Sequence, residues 1–440
     1  MDARTFIDVL DPVHFHGALP FLEGPQALQQ ATGIPEIHPT VRVFYRQGNN
    51  LEAFKGMLTR NQFQNKGWDF EYNKLPDSGF GEDLYGDVLV VACPNVDKLD
   101  GIRAGFERGY RLILADKPWI KEPSRLTELS DILCRSEGKT DLVDLMTERH
   151  ELGTIFQFLL VGNEGLFGEL LKEDNETGIQ KSSVHILDKS HMGVVRPPQY
   201  FDIGWQGHGI TDVSTHLVDM ANMLATGRQE SPSLSSLTLK GSRVWPTFIP
   251  MDDYNKMTGS RGHHVRMSPD YTMRGPLPYF CNGEFGYSIN GIRVHIKVSW
   301  NLNGGDDTHE SVIRGTKAII RVIKGENDKH QRIFFLPRGS YEHNGTSLKS
   351  YLKSMEPRFG PLDVKDSEYG FEIVPQPGAY SSHFQHFGEI AKESLRRLAK
   401  GDLSHQPLEN QRVLAKYTII MKALENAMNQ TTSNERVRSD

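Results

Sequence analysis

Three stretches of the 440-residue sequence carry side chains suited to moving charge or protons. The first is Ala115-Asp116-Lys117-Pro118, a lysine just past an apolar run and fixed by a proline. An ammonium held in a crevice there can donate to a substrate hydroxyl or carbonyl oxygen. An ordinary lysine linking strand to loop is the alternative. The second is Gly207-His208-Gly209-Ile210-Thr211-Asp212-Val213-Ser214-Thr215-His216. On a helix, Asp212 and His216 share one face. An imidazole titrates near neutrality and can carry the proton that accompanies a hydride. The other reading is a helix cap and a core histidine. The third is a pair of loops, Asp11-Pro12-Val13-His14-Phe15-His16 and Cys93-Pro94-Asn95, each directly after an apolar run.

The elements that must hold these residues follow from periodicity. Thr5–Leu10, Val41–Tyr45, Asp87–Ala92, Arg111–Ala115 and Asp141–Met146 read as strands, with helices at Lys98–Arg108 and Pro123–Glu137 between them. Strand–helix alternation predicts a doubly wound parallel sheet. In such a sheet ligands bind beyond the carboxyl ends of the strands. That is where all three loops fall. From about residue 150 the pattern changes. Helices are expected at His150–Val161 and Ile210–Leu224. Strands are expected at Ser183–Leu187, Gly283–Ile289, Arg293–Trp300, Glu310–Arg314, Lys317–Ile323 and Arg332–Leu336. Asn290-Gly291 suits a hairpin turn. Two helices, Ser382–Lys400 and Leu408–Gln430, close the chain before a frayed polar tail. Trp245–Pro278 reads as a surface insertion. The expected architecture is α/β: a Rossmann-type domain over residues 1–149, then an α+β domain over 150–440 with a large, mainly antiparallel sheet for substrate binding and oligomerisation.

Composition narrows the function. Net charge is −6 and the basic residues are dispersed, so neither nucleic acid nor an anionic membrane is an expected partner. The 3 cysteines are widely spaced and expected to be reduced. His185 and His191 stand in no metal-ligand spacing, so no metal is expected. The first residues show no basic segment followed by an apolar run, and the expected location is the cytoplasm.

The motifs also have a familiar order. VLVVACPN, a helix, then GYRLILADKPWI resembles the glucose–fructose oxidoreductase/inositol dehydrogenase/MocA family, whose second strand ends in Glu-Lys-Pro; Asp116 replaces the glutamate here. Asp212 and His216 fit that family's Asp-x-x-x-His pair, and Gly165-Leu166-Phe167-Gly168 its Gly-x-x-Gly turn. The resemblance implies an NAD- or NADP-dependent oxidoreductase acting on a sugar, polyol or related carbohydrate. It implies Lys117, Asp212 and His216 as the catalytic set, with His216 the acid/base and Asp212 orienting the substrate. Asp11, Pro12, His14, Phe15, His16, Arg46, Cys93, Pro94, Asn95, Asp116 and Lys117 would line the cofactor.

The sequence departs from that family at the first turn. It lacks G-x-G-x-x-G, with only Gly17 near its end. His14 or His16 can add a donor there or reach toward the substrate. Arg46, where an acidic residue usually meets the ribose, tilts the choice toward NADP, against an ordinary solvated arginine. Glu148, Arg149, Trp205, Gln206 and His208 are candidate substrate contacts. Two rival functions remain: an NAD-dependent glycosidase that oxidises its sugar transiently, and a sugar-binding sensory relative without cofactor. The open sheet predicts a homodimer or homotetramer through the second domain.

Overall fold

The computed structural model describes residues 4–12, 23–60, 62–81, 83–172, 176–190, 195–261 and 275–437. His14, Phe15, His16, Gly17 and His191 lie outside the described residues. The chain divides into two compact units, Met1–Thr147 with Ser382–Leu414, and Glu148–Ser381 with Ala415–Asp440.

In the first unit, six strands form a parallel sheet: β1 (Thr5–Leu10), β2 (Ile37–Tyr45), β3 (Asp69–Lys74), β4 (Val88–Val91), β5 (Leu112–Ala115) and β6 (Asp141–Asp144). Their order is β3-β2-β1-β4-β5-β6, with the reversal between β1 and β4. This is a Rossmann-type doubly wound sheet. Val88, Leu89, Val90 and Val91 are all buried, because β4 has a helical layer on each face. On one face Val88, Val90, Leu112 and Leu114 join a core with Phe54, Phe63 and Trp68. On the other, the helix Lys98–Glu107 lies close because Gly101 and Gly105 face the sheet. A Cβ on Gly105 would stand 2.5 Å from Leu89 Cδ2 and 2.9 Å from Ile113 Cδ1.

The closing helix His383–Lys400 begins with a capping box at Ser382 and Gln385. Phe387, Ile390, Ala391, Leu395 and Leu398 belong to the first unit's core. The closing helix thus packs back on the first unit rather than on the second sheet. Its amphipathic face fitted either sheet, and chain order says nothing about which one it covers.

The second unit holds nine strands among the described residues: β7 (Ile179–Ile186), β8 (Thr238–Ile249), β9 (Leu277–Ile289), β10 (Ile292–Asn301), β11 (Thr308–Arg314), β12 (Ala318–Lys324), β13 (Arg332–Pro337), β14 (Leu362–Ser367) and β15 (Gly370–Pro375). They run in the order β14-β15-β13-β12-β11-β7-β10-β9-β8, antiparallel except for the β7–β10 pair. The helices Leu152–Val161 and Ser214–Thr226 pack on this sheet.

Several expectations need correction. Within Trp245–Pro278, residues 245–249 end the long edge strand β8 and Met251–Thr258 is a helix, not insertion loop. β3, Gly48–Arg60, Tyr341–Phe359 and the β14–β15 hairpin went unrecognised; their burial patterns are mixed rather than cleanly periodic. The final helix spans Gln406–Val437, since a helix once formed propagates through polar residues. No helix among the described residues is long and apolar enough to cross a membrane.

Candidate active site

At the carboxyl edge of the first sheet, register aligns Leu10 with Phe44 and Val91, and Val91 with Ala115. The residues that follow these strand ends therefore emerge side by side. Asp11 is 2% exposed and adopts φ 43, a left-handed backbone that a glycine would ordinarily supply. So the first turn keeps a glycine-like bend without the glycine. The Asp11 carboxylate accepts from the Arg46 amide at 3.0 Å. Burial holds its pKa above the ordinary value, against the amide bond and the charge of Arg46.

Arg46 is not a free cation. Its Nη1 lies 2.9 Å from Asp97 Oδ2, its Nη2 donates to the Gly79 carbonyl at 2.8 Å, and its guanidinium sits 5.1 Å from the centre of the Phe80 ring. Asn95 and Cys93 are buried, and burial pushes the Cys93 thiol up to about 12. That thiol is a packing group, not a nucleophile. Pro94 turns the chain, its carbonyl accepting from the Asp97 amide at 3.0 Å. Asp116 is buried, and its amide reaches the Val91 carbonyl at 3.4 Å. Lys117 follows half-buried, ahead of a cis bond to Pro118. Trp119, fully buried, ties this turn back through Nε1 to the Ala115 carbonyl at 3.3 Å.

Lys98 was missed. Its side chain is 0% exposed, and its Nζ lies 3.9 Å from Asp116 Oδ2 with no hydrogen-bond partner among the described residues. It sits one helical turn before the buried Ile102, so its buried face was legible. Its charge also bears on Asp11 and Cys93. A left-handed turn at a strand end, a buried ammonium and a lysine beyond it form a donor set suited to an anionic dinucleotide.

The second unit carries the imidazoles. The helical turn Gly209–Asp212 is followed by Ser214–Thr226, joined at Val213 in helical conformation. Gly209 is required by contact with β9: a Cβ there would stand 1.7 Å from the Cys281 carbonyl oxygen. The buried Gln206 reaches Asp212 Oδ2 with Nε2 at 3.3 Å. His208 caps the turn, its carbonyl accepting from the Thr211 amide at 2.8 Å and hydroxyl at 2.7 Å. Trp205 is half-buried on the preceding turn.

The ion-pair partner of His216 is Glu148, whose carboxylate closes on Nδ1. The next residue, Arg149, grips Asp219 with Nε at 2.7 Å and Nη2 at 2.8 Å. Lys416, 0% exposed, stands 3.6 Å from the same carboxylate. One short segment thus clamps a helix at two positions three apart, His216 and Asp219, and fixes the imidazole. Asp219 and Lys416 were missed, although Asp219 stands in the same motif one turn beyond His216. Burial, then the charge of Glu148, pushes the Glu151 carboxyl up to about 7. A second imidazole, His185, meets Asp307 Oδ2 at 3.2 Å, and Lys189 meets the same carboxylate at 2.6 Å. Burial and the neighbouring His185 lower His309 to about 4, which keeps it neutral at physiological pH.

Residues 156–428 match the family model described as "Putative oxidoreductase C terminal domain". The chain belongs to this oxidoreductase family. The match spans well over half of the sequence and includes His216, Asp219 and the whole second sheet. Among solved structures, a "putative oxidoreductase" from Parabacteroides merdae ATCC 43184 is 25% identical at a TM-score of 0.85, covering 97% of this chain and 98% of that one. Levoglucosan dehydrogenase, solved with NADH and L-sorbose, is 14% identical at a TM-score of 0.60, covering 96% and 98%. The WlbA dehydrogenase from Chromobacterium violaceum, solved with NADH and UDP-GlcNAcA, is 11% identical at a TM-score of 0.55, covering 98% and 96%. These last two likenesses concern the fold. No curated protein matches the chain.

Proposed function

We propose that the chain is an oxidoreductase of the glucose–fructose oxidoreductase/inositol dehydrogenase/MocA type. It would move a hydride between a nicotinamide dinucleotide and a secondary alcohol or ketone of a sugar, polyol or related carbohydrate. The observation that carries this reading is the Glu148–His216 pair, fixed on its helix by Arg149 and Asp219. Support also comes from the fold shared with dehydrogenases solved with NADH.

When bound, the nicotinamide takes up or returns the hydride. The chain's own residues handle the proton. His216, paired with the Glu148 carboxylate, accepts the substrate hydroxyl proton. The carboxylate stabilises the imidazolium that results. Lys117 contributes positive charge toward the developing alkoxide. Asp212, steadied by Gln206, orients a neighbouring hydroxyl. Arg149 is a positioning residue, not a substrate contact. Asp11, Pro12, Asn95 and Asp116 shape the cofactor crevice together with the buried Lys98. Either NAD or NADP is the cofactor; for Arg46 to meet a 2′-phosphate it must release Asp97. The active form is a homodimer or homotetramer joined through the second sheet.

Calorimetric titration with NAD, NADH, NADP and NADPH tests the reading first. Binding of at least one is expected, and it should enable absorbance change at the nicotinamide band with some sugar or polyol. Folded protein that binds none of the four overturns the proposal.

A further inference from the structure

Arg196 is a cation of the second unit to which the proton chemistry gives no task. Other cations of this unit are matched: Arg149 by Asp219, Lys189 by Asp307, and Lys256 by Asp188 at 2.7 Å. Arg196 has no carboxylate in ion-pair reach among the described residues. Its Nε donates to the Leu187 carbonyl at 2.7 Å and its Nη2 to the Ile186 carbonyl at 3.1 Å. The guanidinium carbon lies 4.4 Å from the centre of the Tyr200 ring and 5.7 Å from that of Trp300. Two carbonyls and two rings thus hold the group, and no described residue matches its charge.

The geometry of the fork says which edge is open. Nε and Nη2 share one side of the guanidinium plane, and that side is occupied by the two carbonyls. The opposite prong, Nη1 together with the second Nη2 hydrogen, is a two-pronged donor with no partner among the described residues. Such an edge matches two oxygens of a carboxylate. Its place is also informative. Tyr279, whose ring centre is 6.1 Å from that of Tyr200, feels the charges of both Asp212 and Arg196. Tyr279 and Cys281 share β9, and the Cys281 carbonyl lies against Gly209 at the start of the turn that carries Asp212, so the ring stack on Arg196 adjoins that turn.

We propose that Arg196 receives a carboxylate of the substrate, so that the substrate class is a sugar acid rather than a neutral sugar. This rests on the hydride-transfer reading for its place in catalysis. A monoanion is favoured over a phosphate dianion because Asp212 and Glu148 already set negative charge in this unit. Rigid rings beside the guanidinium lower the ordering cost of binding.

The test is calorimetry on the full chain with bound dinucleotide, using D-glucuronate, D-gluconate, D-glucose and D-glucose 6-phosphate. Sugar acids should bind at least about tenfold tighter than glucose, and Arg196→Gln should cost about tenfold or more for the acids alone, the scale of a charge-assisted pair. Arg196→Lys should recover part of the loss. Equal binding of acid and neutral sugar, or equal losses for both in Arg196→Gln, overturns the proposal in favour of a purely structural staple. So does tighter, Arg196-dependent binding of the phosphate. Thermal unfolding of each variant separates loss of fold from loss of affinity. Turnover is read separately: acid binding without hydride transfer defeats the reaction reading and leaves Arg196 as an acid-binding group.

Discussion

Both units bury lysines, and Lys98 of the first and Lys181 of the second differ in company. Lys98 lies under the strand ends of the first sheet beside a carboxylate, Asp116 at 3.9 Å, with no hydrogen bond among the described residues. Lys181 lies on β7 in the second unit and bonds Gln157 Oε1 at 2.8 Å and Ser311 Oγ at 2.9 Å. Both of its partners are neutral. Burial lowers Lys181 to about 7. A buried amine beside neutral acceptors sheds its proton readily. The first unit thus invests a buried charge where an anion would lie. The second buries Lys181 among neutral acceptors and Lys416 beside Asp219, and its proton chemistry falls to an imidazole backed by a carboxylate.

The sharpest test of this division is His216. If the second unit carries the proton, His216→Ala lowers turnover by roughly 10²–10⁴-fold while dinucleotide affinity stays nearly constant. Glu148→Gln should retain the fold and lower turnover by a smaller factor, because the imidazole loses its carboxylate partner. Steady-state kinetics across pH with any substrate found would check both. Near-normal turnover in His216→Ala breaks the comparison at its centre.

Lys181 offers the next largest effect, on stability. Its folded pKa of about 7 lies below the value near 10.4 of an unfolded lysine. Between these values the unfolded chain binds more protons, so this group makes stability rise with pH from about 7 toward 10. Below about 7 both states are protonated and the burial penalty is constant. Lys181→Met should stabilise the chain at neutral pH, by roughly 1–3 kcal/mol, and flatten that slope. Chemical denaturation at several pH values measures both. A destabilised variant with an unchanged slope would show that the hydrogen bonds to Gln157 and Ser311 outweigh the burial penalty.

These contrasts also mark what the sequence could convey. β4 and β5 were plain because four consecutive apolar residues in each are buried on both faces. The loops after them were legible for the same reason, since strand ends define the crevice. His216 was visible as a residue type in a motif, but its partner was not. Spacing along a helix pointed to Asp212, while the contact comes from Glu148, 68 residues earlier in number. Ion pairs between distant segments leave no periodic trace. Lys181 illustrates the same limit: a lysine in a strand reads as a solvent-facing residue until the helix Leu152–Val161 is laid over it.

The smallest effect concerns Lys98, and it decides whether the first unit's buried charge serves binding or only architecture. Removing it alone confuses two things, because Asp116 would be left as a buried carboxylate without its nearest cation, an arrangement that destabilises strongly. The double change Lys98→Met/Asp116→Asn removes both charges together and should keep most of the stability. An ammonium under the strand ends, in a medium of effective dielectric ~20 and partly screened, would contribute on the order of 1 kcal/mol to holding a pyrophosphate, or about fivefold in affinity. Since the neutral pair lacks both signs, the net loss should be no more than that in the double variant, and Asp116→Asn alone should bind dinucleotide more tightly than either. Calorimetry on the unaltered chain, Asp116→Asn and the double variant measures these differences. If affinity is identical in Asp116→Asn and in the double variant, the Lys98 ammonium does not reach the ligand, and its burial belongs to the packing of the helix Lys98–Glu107 on the sheet.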